Sequence, residues 1–276
     1  MLFSIRSFIR LNNGVDIPRL GLGVYQSRPG MITQRAVRHA LNFGYRHIDT
    51  AYIYGNESDV GKAVLESGIP REEVFITTKL WNTRQVGFNS ALKACEVSLR
   101  RLGLAYVDLY LIHWPVQGIG NNTIEVWKAM VHLLKESKAR AIGVSNFAKD
   151  DLECILQHSD VVPAVNQVEF HPFLYQKDLL SFSHRNSIQL EAYSPLTRGK
   201  RLSHPTIINI AKKYDNKTHA QILLRWSLQH NMVVIPKSIH EERILENCQV
   251  FDFDLGVEDM KLLDSLNENM QTVFLD

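Results

Sequence analysis

Gly44-Tyr-Arg-His-Ile-Asp-Thr-Ala-Tyr-Ile-Tyr-Gly-Asn-Glu57 is the stretch on which the reading of the fold turns. It opens as a short apolar strand over residues 46–48 and delivers Asp49 at the strand's end. Tyr54 follows in a small turn closed by Gly55, and Asn56 is placed to cap a helix starting at Glu57. An acid and a phenol thus share one rim between a strand and a helix. Alone this says little, because an Asp after a strand is usually a turn residue or a helix cap. The same plan recurs along the chain, and the recurrence decides the fold.

Before this stretch, residues 20–23 read as a strand and 33–42 as a helix with Val37, Ala40 and Leu41 inward. The helix after Asp49 spans 56–67. Residues 74–79 are a β-branched run, followed by Phe88, Ala91, Cys95, Leu99 and Leu102 at helical spacing. A strand over 107–112 precedes a helix striped by Ile124, Trp127, Val131 and Leu134. Strand 141–144 leads to helix 150–158, strand 164–168 to helix 176–186, and strand 188–192 to helical segments 205–214 and 219–230. Strand 232–235 is the last, before helices 241–248 and 257–266. Eight such alternations with no Pro- or Gly-rich linker predict a parallel sheet covered by helices, closed as an α/β (β/α)8 TIM barrel in one domain over 1–276. A doubly wound Rossmann sheet fails, because Gln26 stands where its third glycine belongs after Gly21 and Gly23. Residues 8–11 and 15–17 flank Asn13-Gly14, the signal of an N-terminal β-hairpin.

The chain's 276 residues, 45% hydrophobic and 22% charged, suffice for a large core. A net charge of +2 without a Lys/Arg run argues against a nucleic-acid partner. Cys95, Cys154 and Cys248 are scattered through apolar helical segments, so they read as reduced packing residues of a cytoplasmic protein. No His/Cys spacing suggests a metal. No apolar run approaches the roughly 18 residues of a membrane span. Residues 1–10 carry Arg and no acid, as transit peptides do, but the hairpin accounts for them locally.

In a barrel the C-terminal strand ends converge on one face, where chemistry sits. Here they carry Asp49, Lys79, His113, Ser145-Asn146, Gln167, Tyr193-Ser194 and Lys237. A tyrosine with an ordinary pKa of about 10 is a poor donor at neutral pH, and an adjacent ammonium would lower it. Asp49 paired with Lys79, and His113 beside them, would make Tyr54 a general acid aimed at an oxygen gaining negative charge. Reducing a C=O group by hydride needs such a donor and, since no side chain supplies hydride, a nicotinamide cofactor. Lys237 and Ser238 precede a helix with Arg243 one turn inside, which would serve as an anion site or, more plainly, as a solvated helix start.

Residues 44–55, Thr77-Thr78-Lys79-Leu80-Trp81, Asp-Leu-Tyr-Leu-Ile-His-Trp-Pro over 108–115, Ile-Gly-Val-Ser-Asn-Phe over 142–147, residues 166–172, Tyr193-Ser194-Pro195-Leu196 and residues 235–247 together resemble the aldo-keto reductases, in order along nearly the whole chain. The resemblance implies NADPH-dependent carbonyl reduction by a monomeric barrel whose base the hairpin closes. It places the catalytic tetrad on Asp49, Tyr54, Lys79 and His113, with Tyr54 as proton donor. It implies that Ser145, Asn146 and Gln167 hold the carboxamide and that Tyr193 stacks on the nicotinamide. Ser194 and Leu196 would line the pyrophosphate path, with Gly23 and Val24 also at the cofactor. Lys237, Ser238 and Arg243 would bind the 2′-phosphate, and Glu246 and Asn247 would face the adenine. Tyr25, Trp81, His113 and Trp114 would wall the substrate pocket.

Tyr25 stands where many members carry Trp. The connection after Pro115 reads as short, and little chain follows residue 266. These features predict the open, permissive site of a short-loop microbial or protist member. Small ketoaldehydes, keto-sugars and prostanoid-like compounds are all compatible with it. Two other functions compete: a Schiff-base aldolase using Lys79, and a non-catalytic cofactor-binding subunit or sensor.

Overall fold

The computed structural model describes residues 4–81, 87–115, 122–215 and 217–274. The Asn13-Gly14 turn joins β1 (Phe8–Arg10) to β2 (Asp16–Pro18), paired antiparallel with Ile9 opposite Ile17. Gly14 has φ +84°, the left-handed conformation such a turn needs. Leu11 and Ile17 then pack on Phe75, Leu109, Ala141, Val165 and Val233, so the hairpin plugs one end of the barrel interior.

The barrel strands are β3 (Leu22–Gly23), β4 (His47–Asp49), β5 (Phe75–Leu80), β6 (Val107–Ile112), β7 (Ala139–Ser145), β8 (Val165–Glu169), β9 (Gln189–Tyr193) and β10 (Val233–Val234). They hydrogen-bond in sequence order, each parallel to the next. Parallel bridges Leu20–Val234 and Gly23–Lys237 join the first strand to the last and close the ring. The covering helices are α1 (Met31–Asn42), α2 (Glu57–Leu65), α3 (Phe88–Leu102), α4 (Asn122–Lys135), α5 (Lys149–His158), α6 (Lys177–Arg185), α7 (Pro205–Ala211), α8 (His219–Gln229), α9 (Glu241–Cys248) and α10 (Val257–Asp264). The main core lies between helices and sheet, with Trp127, Trp226 and Tyr45 among its largest fully buried side chains.

Element order therefore follows the expectation, while several ends differ. Helices expected to reach 67, 214 and 266 stop at Leu65, Ala211 and Asp264. Apolar spacing overshoots because residues such as Tyr214 and Leu266 still pack on the core after the chain has left the helix. The last strand is shorter than 232–235, since Pro236 has no N–H to donate and serves only as acceptor for Gly23 N. Among the described residues no helix is long and apolar enough to cross a membrane.

Candidate active site

β4 and β5 run side by side, with Asp49 in register with Thr77, so the side chains of Asp49 and Lys79 meet inside the barrel mouth. Lys79 is fully buried and its Nζ donates to Asp49 Oδ1 at 2.6 Å and Oδ2 at 2.8 Å, to Thr50 O at 3.0 Å and to Tyr54 Oη at 3.4 Å. Tyr54 comes from a short 3-10 turn, Tyr52–Tyr54, ended by Gly55 in the left-handed region. His113 follows β6, is buried, and meets the rings of Tyr54 and Trp81 edge-on at 5.6 and 5.3 Å. All four predicted tetrad residues thus form one cluster.

Its electrostatics differ from the expectation in one respect. Tyr54 has its pKa raised well above the ordinary value, by burial first and then by Asp49, Tyr25 and Glu191. The ammonium expected to lower it is present, but the Asp49 carboxylate beside it offsets its field, and desolvation of a phenolate dominates. Burial also pushes the Asp49 carboxyl up, against the pull of Lys79 and Gln167. His113 is held well below its usual value by burial and then Lys79, so its imidazole is neutral at neutral pH.

Asn56 is also placed otherwise than expected. Its side chain makes no cap bond to α2. It accepts from Thr50 Oγ1 at 2.7 Å and donates to Val24 O at 3.0 Å and Ser27 O at 3.1 Å. Buried side-chain amides go where acceptors lie, and here those are carbonyls of the loop after β3 rather than the helix end.

A cavity of about 1060 Å3 opens on the cluster. Beside the tetrad, Asn146 adopts a positive φ of 63° after β7. Its Nδ2 donates to His113 O at 2.9 Å and Ser145 Oγ at 3.1 Å, and its Oδ1 accepts from Tyr193 Oη at 2.8 Å. Ser145 Oγ donates to Gln167 O at 2.8 Å. Gln167 Nε2 donates to Asp49 Oδ2 at 2.8 Å and Glu191 Oε2 at 2.7 Å. Tyr25, Trp81 and Trp114 wall the cavity near Tyr54, and Tyr25 tilts onto the Tyr54 ring at 5.0 Å. Toward the other end lie Ser194, Leu196, Lys237, Ser238 and Arg243, then Glu246 and Asn247. Val24 is instead buried in the core.

Residues at and beneath this cavity escape a strand-end reading. Glu191 sits two positions before Tyr193 and looks like an ordinary strand residue. Arg198 comes from the loop after β9, donating to Gln26 Oε1 at 2.8 Å and Thr272 O at 3.2 Å. The chain after α10 returns to the mouth. Thr272 N and Oγ1 donate to the buried Glu169, and Val273 and Phe274 line the cavity. The short connection expected after Pro115 lies outside the described residues.

A dinucleotide fits what the cavity offers. Lys237, Arg243 and Arg198 all line it, and the Lys237 pKa is lowered by burial and then by Arg198, as when two cations share a corner. Amide and hydroxyl groups lie beside Tyr54. Gly23 also lines the cavity, and its backbone packs so closely on the last strand that a Cβ would stand 2.8 Å from Ile235 O.

The model of the "Aldo/keto reductase family" matches residues 20–268. The chain belongs to that family of oxidoreductases. The aldo/keto reductase is 49% identical over 266 residues to a "Glyoxal reductase" of Bacillus subtilis, covering 96% of this chain and 95% of the relative. It is 47% identical over 264 residues to a "9,11-endoperoxide prostaglandin H2 reductase" of Trypanosoma cruzi, covering 95% and 92%. A solved Bombyx mori aldo-keto reductase in complex with NADP superposes with a TM-score of 0.91 at 35% identity, covering 98% of this aldo/keto reductase and 95% of the neighbour.

Proposed function

We propose that this aldo/keto reductase reduces aldehydes and ketones to alcohols with NADPH, Tyr54 giving the proton with the help of Lys79, Asp49 and His113. The observation that carries the reading is the arrangement around Lys79 Nζ. An ammonium has three hydrogens and no lone pair. Asp49, Thr50 O and Tyr54 Oη all compete for them. Tyr54 Oη is therefore an acceptor toward Lys79, and its own hydrogen is left to point into the cavity.

A substrate oxygen lodged between Tyr54 and His113 would receive that hydrogen as negative charge develops on it. A high phenol pKa suits this task, since an alkoxide is far more basic than a phenolate. The neutral His113 can donate one further hydrogen bond to the same oxygen without adding charge. NADPH, when bound, supplies the hydride that adds to the carbonyl carbon. Ser145, Asn146, Gln167 and Tyr193 would hold and face its nicotinamide, Ser194 and Leu196 its pyrophosphate, and Lys237, Ser238 and Arg243 its 2′-phosphate. The last three are the reason to favour NADPH over NADH.

Lys79 is a poor candidate for Schiff-base chemistry, because its nitrogen is buried behind Asp49 and committed to four acceptors. Relatives named for glyoxal and for a prostaglandin endoperoxide make both small dicarbonyls and bulky lipids the first substrates to try. The enzyme is read as a cytoplasmic monomer acting on free small molecules. The decisive assay follows NADPH consumption with such a panel in wild type and Tyr54→Phe. The expected loss in kcat is about 10²–10⁴-fold, with NADPH affinity intact. Undiminished turnover in the variant would sink the assignment of Tyr54.

A further inference from the structure

Beneath the tetrad lies a carboxyl that the proposed reaction does not use. Glu191 is fully buried in β9, with Gln167 of β8 as its direct Cα partner on one side and Val233 of β10 on the other. Its Oε2 accepts from Gln167 Nε2 at 2.7 Å, while the same nitrogen gives its other hydrogen to Asp49 Oδ2 at 2.8 Å. Its Oε1 faces His47 Nε2 at 3.6 Å, and that nitrogen lies 3.0 Å from Thr77 Oγ1. The His47 ring is held against Gly21, where a Cβ would come within 2.7 Å of it. A continuous line therefore runs Tyr54–Lys79–Asp49–Gln167–Glu191–His47, buried from Lys79 inward.

A carboxyl is costly to bury, and an apolar side chain would fill the same space more cheaply. What Glu191 supplies is an acceptor. A side-chain amide has two hydrogens, and Asp49 satisfies only one. With both hydrogens accepted by carboxyls the amide is held in place, because turning it over would set its oxygen against the Asp49 carboxylate and give up both bonds. We propose that Glu191 is a positioning residue of the active site: it locks the Gln167 amide with nitrogen inward and oxygen toward the cavity, and its ionisation sets the charge balance beneath Asp49 and Lys79. The inference rests on the reductase reading for its catalytic meaning, though not for the lock itself.

The charge balance follows from the groups that face Glu191. Among the described residues Lys79 is the cation that acts on it, and Asp49 already claims that lysine. His47 is neutral, its pKa lowered to about 3 by burial and then Lys79. Burial and then Asp49 push Glu191 up to about 8. At neutral pH it is therefore protonated, with Oε1 as the oxygen free to carry the hydrogen. In mildly alkaline solution it ionises, leaving one unbalanced negative charge inside the barrel. That charge opposes phenolate formation at Tyr54 and favours a positively charged ring in the cavity, as in oxidised nicotinamide.

The test uses Glu191→Gln, which keeps an acceptor for Gln167 but cannot ionise, and Glu191→Leu, which removes the acceptor. The first readout needs no cofactor: the side-chain NH2 signals of Gln167 in 1H–15N spectra of the apo protein, identified by their loss in Gln167→Ala. In wild type they shift between pH 6.5 and 9.5 with a midpoint near 8, and in Glu191→Gln they do not. The second is fluorescence titration with NADPH and NADP+. Glu191→Leu weakens NADPH binding about tenfold, the scale of one lost buried hydrogen bond, and Glu191→Gln restores it. The NADP+/NADPH affinity ratio rises above pH 8 in wild type and stays flat in Glu191→Gln. Amide signals that ignore pH in wild type, or that titrate equally in Glu191→Gln, overturn the proposal. Should Glu191→Leu fail to fold, wild type and Glu191→Gln still decide it. A titrating amide in a chain that binds neither cofactor would support the lock and overturn the reductase reading instead.

Discussion

Asp108 and Asp49 are both buried carboxylates held by cations, at opposite ends of the barrel. Asp108, near the start of β6, accepts from Arg71 Nη2 at 2.7 Å, Arg140 Nη1 at 2.8 Å and Ile76 N at 2.9 Å. Arg71 spends further hydrogens on Val74 O and Tyr106 O and lays its guanidinium on the Tyr106 ring at 4.3 Å. Each of these hydrogen bonds ends on a fixed acceptor, and the result is a staple across three strands. At the mouth the cation is a lysine, whose hydrogens are shared among more acceptors than it can satisfy at once. One of those acceptors is a hydroxyl that can pass a proton on. An ion pair becomes chemistry when its hydrogen-bond chain ends on a movable proton at a cavity, and stays structure when it ends on backbone.

Replacing Lys79 with Met should break the contrast most severely. Turnover should fall on the order of 10²-fold or more, because Tyr54 loses the partner that orients its hydroxyl. Stopped-flow reduction of a good aldehyde would show this, and a variant within a few-fold of wild type would contradict the shared-hydrogen account. Asp108→Ala should do the reverse. Removing one member of a buried ion cluster costs about 3–5 kcal/mol, so urea unfolding should shift markedly while kcat per folded molecule stays within about twofold, well inside the scale on which general acids act. A matching loss of kcat would mean that the base communicates with the mouth.

The smallest effects concern pH, and they should arise at the mouth. His47 has its pKa lowered to about 3 from 6.5, so between those values the unfolded chain binds a proton that the native one does not. Stability from His47 is thus present above pH 6.5 and lost as pH falls toward 3, and the lowered His113 acts in the same direction. Glu191 is raised to about 8 from 4.5, so its contribution has the opposite sign, present below pH 4.5 and lost as pH rises to about 8. The two oppose one another from 4.5 to 6.5, and outside that window each acts without the other's opposition. Melting temperature should therefore decline both below pH 4.5 and between 6.5 and 8, with each group contributing at most about 1.4 kcal/mol per pH unit. Glu191→Gln should flatten the alkaline decline, and His47→Gln should soften the acid one. Parallel curves for wild type and both variants would place the titrating groups elsewhere.

Much of this molecule was legible before its structure. Alternating apolar strands and amphipathic helices specify the barrel, because each pattern reflects burial on a local periodicity. Asp49, Lys79 and His113 could be read as one rim, since a barrel gathers strand ends whatever their separation in the chain. Asn56 was legible as a polar residue but not as what it holds. Capping is a local rule, whereas its acceptors Val24 O and Ser27 O lie 32 and 29 residues away. Arg198 and the returning tail were missed for the same reason: loop residues have no period to betray where they end.

The sequence by itself determined which strands exist, their order and which reactive side chains stand near their ends, because these depend on neighbours along the chain. Only the tertiary structure decided how protons are distributed among them. Asp49 meets Gln167 across 118 residues, and Gln167 meets Glu191 across 24. Their charges depend on burial and on one another, so burial holds the Tyr54 phenol above its usual range despite its lysine neighbour, and pushes the Glu191 carboxyl toward its protonated form. Desolvation is a property of the packed interior, and no stretch of sequence read alone contains it.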